Sequence, residues 1–395
     1  MLTSIRLDNL RGYASLEAVF GAGPQLISGP NAAGKTSLIE AIVLLAWGRS
    51  HRTSTDGEVI RWSSDVGRVE GRAGDETIEV ALVRSGSAGA GAGRKRIRVN
   101  GVARRPAALA GLFRAVLFAP EEMLLVVGSP GLRRAAIDQL ASQRWPAYAA
   151  DLSTYGRALQ QRNSLLRAIR EERAGRDELR YWNGPLVEAG AAVVGARLAL
   201  LDELAEPLRQ AHGEIAPEEA AVTRLGIRYV TNAPCGPGET PHQALARRLA
   251  ETAEKEVWNG STLVGPHRDD LAFELAGRDL AGFASRGQQR TAILAFKLAE
   301  LDLLTALDGR PPLLLLDDVF SELDPERRSH LVRRIAALPQ AFITTTTLDD
   351  LDQGLVERAT RWEVRAAEGG AELVRSGAPV GSAPGATPGA GAAGR

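Results

Sequence analysis

Apolar and polar positions alternate with a period of two through residues 2–20 (LTSIRLDNLRGYASLEAVF), interrupted at Asn9-Leu10-Arg11-Gly12. That pattern predicts two strands around a turn. Residues 24–28 predict the end of a short buried strand, and 36–47 (TSLIEAIVLLAW) the helix that follows. Alternation returns over 66–83 and 96–103, as in an antiparallel sheet, and 115–119 (AVLFA) predicts another buried strand. Residues 85–93, made of Ser, Gly and Ala, read as a hairpin tip without chemistry.

From Pro120 the period changes. Residues 131–213 are rich in Ala, Leu, Arg and Glu at helical spacing, punctuated by Pro146, Pro185 and Pro207. They predict a helical insertion too broken by proline for a long coiled coil. A proline-rich stretch over 214–243 reads as loop with a possible strand at 222–230, and a helix is expected over 241–257. A loop and strand follow at 261–275, then a periodic helix (TAILAFKLAELDLLTAL). Leu313–Leu316 predict a buried parallel strand, followed by a helix to about 337 and a strand at 341–346. The tail at 377–395, rich in Pro, Gly and Ala, is expected to be disordered.

With 395 residues, two or more domains are expected. Four ranges are assigned: an N-terminal lobe at 1–120, the helical insertion at 121–260, a C-terminal lobe at 261–376 and the tail. Cys235 is the only cysteine, which excludes an internal disulfide and fits a reducing, cytoplasmic setting. No apolar run approaches a membrane span of about 20 residues, and the charged start MLTSIRLDNLRGY does not read as a signal peptide. The net charge of zero argues against a non-specific electrostatic grip on nucleic acid as the main activity. Of 48 basic residues only Lys35, Lys95, Lys255 and Lys297 are lysine, which makes Lys35 more telling.

Lys35 closes the stretch with the most specific chemistry. Gly29-Pro30-Asn31-Ala32-Ala33-Gly34-Lys35-Thr36 matches G-x-x-x-x-G-K-[ST] between a strand and a helix. Glycines let the backbone wrap phosphates, and a helix N-terminus favours their charge. Lys35 reaches the β- and γ-phosphates of ATP, and the Thr36 hydroxyl is a ligand for Mg²⁺. Downstream, Leu313–Leu316 deliver Asp317-Asp318 at the end of a buried strand. This is a Walker B arrangement, with Asp317 holding Mg²⁺ through water.

Together with Ser285-Arg286-Gly287-Gln288-Gln289-Arg290 before a helix, and Glu322-Leu323-Asp324 as a D-loop, these pieces resemble the head of an ABC-type ATPase. More closely they resemble the RecF family of SMC-like proteins. The added matches are Asn9–Tyr13, Gly48–Thr53, Leu117–Glu121, Gly128–Arg134, Gly265–Asp270 and Leu316–Asp324.

The resemblance implies an α/β fold, a P-loop head of mixed sheets and helices carrying a mainly helical arm. It implies a homodimer gated by ATP, in which Ser285, Gly287 and Gln288 of one copy close on the γ-phosphate held by the other. It further implies binding to DNA at junctions of single and double strand, and cooperation with RecR and RecO to load RecA in gap repair and recombinational repair. Asp318 stands where many ABC ATPases place a catalytic glutamate. Being one methylene shorter, it is expected to give slow hydrolysis. Thr345 and Thr346 stand where transporters carry a histidine, and Glu121 or Glu122 where they carry a glutamine.

His51 and Arg52 read as surface residues or nucleotide contacts. His267 and Arg268 read as a satisfied buried histidine with a surface arginine, or as contacts to DNA or a partner. Two other function classes remain open at this stage. The ATPase subunit of a membrane transporter would have the missing histidine and a compact helical lobe. A nucleotide-sensing scaffold would hardly hydrolyse ATP.

Overall fold

The computed structural model describes residues 1–84, 86, 94–348 and 351–376. The tail at 377–395 and the run at 85–93, apart from Gly86, lie outside the described residues.

Numbered along the chain, β1 (Leu2–Leu10), β2 (Tyr13–Val19), β4 (Val66–Ala73), β5 (Glu76–Val83), β6 (Arg94–Val99) and β7 (Val102–Arg104) form an antiparallel sheet in the order β2-β1-β4-β5-β6-β7. A second sheet holds β3 (Gly23–Ser28), β8 (Ala115–Phe118), β12 (Leu313–Asp317), β13 (Gln340–Thr345), β14 (Thr360–Ala367) and β15 (Gly370–Arg375) in the order β15-β14-β3-β13-β12-β8. It is parallel except for the final hairpin. Its central strands are buried on both faces, which explains the unbroken leucines of β12.

Helix α1 (Lys35–Trp47) lies between the two sheets. Leu38, Ile39 and Ala41–Leu45 are all fully buried. Such a helix has no polar face, and the run IVLLA shows none. The sheets and α1 share one apolar core.

The helical part comprises α2 (Pro130–Arg144), α3 (Pro146–Arg170), α4 (Arg180–Ile215), α5 (Pro217–Val222) and α6 (Pro241–Asn259). A small sheet joins β9 (Leu225–Val230), β10 (Asp270–Leu275) and β11 (Arg278–Asp279). Helices α7 (Leu280–Phe283), α8 (Arg286–Ala306), α9 (Pro325–Ala336) and α10 (Gln353–Arg358) complete the chain. Helices α2 to α4, α8 and the inner face of β12 share a second core.

Pro146 opens α3 as expected, but Pro185 and Pro207 do not break the helical segment; both lie inside α4. An interior proline costs ~3 kcal/mol. Leu200, Leu204 and Leu208, each at most 1% exposed, contribute about 1.5–3 kcal/mol apiece by burial and offset it. The stretch Arg176–Ile215 is long and apolar enough to cross a membrane by length and composition. Its apolar face instead packs into the second core. The pattern also missed the β14–β15 hairpin, whose β14 extends the parallel sheet beside β3.

Arg197 of α4 ties these parts together. It is 2% exposed, pairs with both oxygens of Asp138 on α2 at 2.8 and 3.0 Å, and donates to the Pro266 carbonyl at 2.8 Å. Removing one partner of a buried pair leaves the other uncompensated. Urea unfolding of Arg197→Ala is expected to show a loss of about 3–5 kcal/mol.

Candidate nucleotide site

The loop between β3 and α1 holds its shape through two glycines. Gly29 has φ +154°, and a Cβ there would stand 2.5 Å from the Val364 carbonyl oxygen of β14. Gly34 has φ +121°, and a Cβ would stand 3.0 Å from Ala371 of β15. The Tyr13 hydroxyl donates to the Gly34 carbonyl at 3.1 Å. The C-terminal hairpin therefore walls the loop from one side.

No side chain caps α1, and its first turn carries no acid. Its leading amides are left for an anion. Lys35 folds back over the loop, donating to the carbonyls of Gly29 at 2.7 Å and Pro30 at 3.0 Å. Burial pulls its ammonium below the ordinary lysine range, while Asp318 and Asp317 act in the opposite direction.

The loop and the Walker B strand meet. The Thr36 hydroxyl donates to Asp317 Oδ1 at 3.2 Å. The Thr344 hydroxyl donates to the same oxygen at 2.6 Å and accepts from the Asp318 amide at 2.9 Å. Asp318 has φ +53°, a left-handed conformation that non-glycine residues seldom hold. Residues 29–36, Asp317 and Asp318 thus form one cluster. A hydroxyl and a carboxylate fit Mg²⁺, which usually keeps water and substrate phosphates as its other ligands. Thr344 was missed by sequence reasoning, which looked to Thr345 and Thr346. The Thr345 hydroxyl instead donates to the Thr347 carbonyl at 2.6 Å.

Ser285, Gly287 and Gln288 stand apart from this cluster. Among the described residues, no hydrogen bond joins them to residues 29–36. Ser285 caps α8: its Oγ accepts from the Gln288 amide at 3.2 Å, and Gln288 Oε1 accepts from the Ser285 amide at 3.1 Å. The serine hydroxyl hydrogen and the amide of Gly287 remain to donate outward. A Cβ on Gly287 would meet only ordinary contacts, at 3.7 Å and beyond. Among the described residues, nothing requires glycine there. Ser285 is exposed, and beside it Phe283 is 78% exposed.

Glu40, fully buried in α1, anchors the flanking motifs and was also missed. Arg11 holds both of its oxygens at 2.8 Å, and the Ser50 hydroxyl donates to it at 2.5 Å. Arg52 approaches to 3.6 Å. Burial pushes the Glu40 carboxyl up, but the Arg11 and Ser50 hydrogen bonds and the charges of Arg11 and Arg52 outweigh it, leaving it below the ordinary range.

His51 is half-buried, with its ring turned inward. Neither of its buried ring nitrogens has a partner among the described residues, and it lines a cavity of about 130 Å³ with Trp47 and Glu121. Glu122 pairs with the buried Lys297, leaving Glu121 as the exposed carboxylate after β8. His267 and Arg268 hold the fold. The His267 ring lies 2.5 Å from the Tyr155 hydroxyl and 3.2 Å from the Thr262 carbonyl, which also accepts from Arg268. Burial lowers the His267 pKa to about 4, keeping the ring neutral. Their neighbours Asp269 and Asp270 bind Arg134 and Arg133 of α2.

A profile described as the RecF/RecN/SMC N terminal domain matches residues 1–362. A protein of Geobacillus kaustophilus named "DNA replication and repair protein RecF" is 39% identical over 92% of this chain and 97% of its own length. The chain belongs to the RecF family. A protein of the same name from Bacillus subtilis is 36% identical over 92% of the chain and 98% of its own length.

Among solved structures, a RecF titled "recombination mediator protein RecF-ATPrS in RecFOR pathway" superposes with a TM-score of 0.82 at 32% identity. It covers 95% of this chain and 98% of its own. A RecF–ATP structure with a matching title also scores 0.82, at 32% identity over 94% of this chain and 97% of its own. A Smc head scores 0.51 at 12% identity over 94% of this chain and 96% of its own, a likeness of fold alone. RecF membership accounts for the loop, the Walker B pair and the capped α8 occurring in one chain.

The depressed Glu40 carboxyl contributes stability above the ordinary carboxylate pKa of 4.5 and loses it as the pH falls through its lower folded value. The stability gap between the wild type and Glu40→Gln, measured by urea unfolding, is therefore expected to be full at pH 7 and to narrow below pH 4.5.

Proposed function

We propose that this chain is an ATP-gated DNA clamp of replication-gap and recombinational repair, working as a homodimer in the cytoplasm. The observation that carries the reading is the separation of two exposed half-sites. Pro30, Asn31 and Ala32 crown one, and Ser285 crowns the other. Neither is completed by the described residues of the chain. A second copy in antiparallel pairing supplies each with its complement.

In this reading the amides of residues 29–34 and Lys35 bind the triphosphate of ATP. Thr36 and, through water, Asp317 would hold Mg²⁺, which would supply positive charge to offset that of the phosphates. The partner copy contributes the Ser285 hydroxyl, the Gly287 amide and the α8 N-terminus to the γ-phosphate. Asp318 orients the attacking water, and Thr344 fixes both aspartates. The short Asp318 side chain gives slow turnover, so hydrolysis works as a release timer.

Two findings support a role for DNA. The relatives named above are DNA replication and repair proteins, and the similar solved structures are titled recombination mediators of the RecFOR pathway. That membership supports the reading that the clamp works with RecO and RecR to load RecA. The transporter alternative is set aside, because the segment reads Ser-Arg-Gly-Gln-Gln and the relatives are repair proteins.

Fluorescence anisotropy of a labelled gapped DNA tests the reading. Binding is expected to tighten with ATP and not with ADP, and Lys35→Ala is expected to lose ATP affinity about ten- to a hundredfold. Phosphate release is expected to vanish in both Asp317→Asn and Asp318→Asn. Equal DNA binding with ATP, ADP and no nucleotide would separate the loop from DNA and overturn the clamp. Unchanged phosphate release in the two variants would remove the assigned catalytic roles.

A further inference from the structure

The cap on α8 does not stand alone. Gln288 uses its side-chain oxygen on the Ser285 amide, and its Nε2 donates to Glu219 Oε2 at 2.8 Å. Glu219 belongs to α5, a six-residue helix within the helical insertion. Its other oxygen lies 2.9 Å from His212 Nε2. His212 is 2% exposed and sits in the last turn of α4. A continuous chain of hydrogen bonds therefore runs from the long arm helix through His212, Glu219 and Gln288 to Ser285.

Each link fixes the next. A glutamine at the third position of a helix loses rotamer freedom with each end of its amide that is held. Glu219 holds the nitrogen end, which aims the oxygen end at the Ser285 amide. With the cap formed, Ser285 Oγ accepts from the Gln288 amide, and its hydroxyl hydrogen takes no part in the cap. The charged neighbourhood is compatible with this role. Arg327 of α9 and Arg290 of α8 flank the same helix end, and each is already engaged, with Asp324 and Glu322 respectively. The charge of Glu219 is also felt by Arg327, but both side-chain hydrogen bonds of Glu219 go to Gln288 and His212.

We infer that Glu219 is a positioning residue for the Ser285 segment, setting its readiness to meet the γ-phosphate held by a second copy and making that readiness depend on the arm helix α4. This rests on the clamp reading above. Glu219 touches no nucleotide; it acts through Gln288.

The test uses the full chain. For Glu219→Ala, the affinity of the monomer for a non-hydrolysable ATP analogue is expected to match the wild type, because the loop at 29–36 is untouched. The ATP-dependent dimerisation constant from sedimentation velocity is expected to weaken about tenfold, the scale of one lost charged hydrogen bond. The double variant Glu219→Gln with Gln288→Glu restores the pair with its donor reversed. The amide introduced at position 219 would accept from His212 and donate to the new carboxylate at position 288. Serine with glutamate at this spacing is itself a capping box. Both variants carry a carboxylate at position 288, so comparing them isolates the pair: dimerisation is expected to be stronger in the double variant than in Gln288→Glu alone.

A role confined to folding would lower the thermal midpoint and the analogue affinity together and would gain nothing from the reversal; that result overturns the inference. Wild-type dimerisation with equal dimerisation of Glu219→Ala overturns it as well, leaving the clamp intact. Failure of the wild type to dimerise with ATP defeats the clamp, and the inference with it.

Discussion

Helix α1 is enclosed by two sheets, and that enclosure sets terms for the rest of the molecule. A helix buried on every side has to be apolar, and where it is not, its charge has to be paired. Glu40 is the exception in its middle. Its carboxylate is satisfied by Arg11 from the β1–β2 turn and by Ser50 from the loop leaving α1. Two segments far apart in sequence are thereby drawn against the helix whose first turn faces the phosphate loop. The same enclosure pins the N-terminus of α1 beside β14 and β15, where Gly29 and Gly34 leave no room for a side chain. Close packing around the loop favours the preorganisation that anion binding by backbone amides needs.

The second theme is incompleteness. The P-loop, Walker B aspartates and Thr344 are joined by hydrogen bonds, yet among the described residues the capped end of α8 has no bond to the loop. The lack of a side chain at Gly287 relieves no crowding among those residues, whereas at Gly29 and Gly34 it does. In the clamp reading, the exposed Ser285 and Phe283 beside it are the surface that a second copy approaches. Hydrogen bonds through Glu219 and His212 connect that helix end to α4, the contact on which the proposed link between arm and site rests.

Much of this was legible in the chain itself. The P-loop, the leucine run ending in Asp317-Asp318 and the Ser285 segment each carry a local signature, and local signatures survive folding. What escaped were partners set by tertiary contact. Thr344 was passed over because four consecutive threonines differ only in which one the strand register places opposite Asp317. Pro185 and Pro207 suggested breaks, since their local cost is visible in sequence and the burial that offsets it is not. His51 read as a surface residue or a nucleotide contact because the cavity around it is assembled from α1, β8, α2 and α8. The β14–β15 hairpin lacked a strong pattern, its strands being half exposed.

The central claim is that each nucleotide site is shared between two copies, and mixing two disabled variants tests it most directly. Lys35→Ala disables the loop, and Ser285→Arg disables the α8 face. Each alone is expected to release no phosphate from ATP. Mixed, they form a heterodimer in which one site pairs an intact loop with an intact α8 face, and phosphate release is expected to return. Mixing that yields no more than the two variants measured separately would show that the site is built within one chain, contradicting the account.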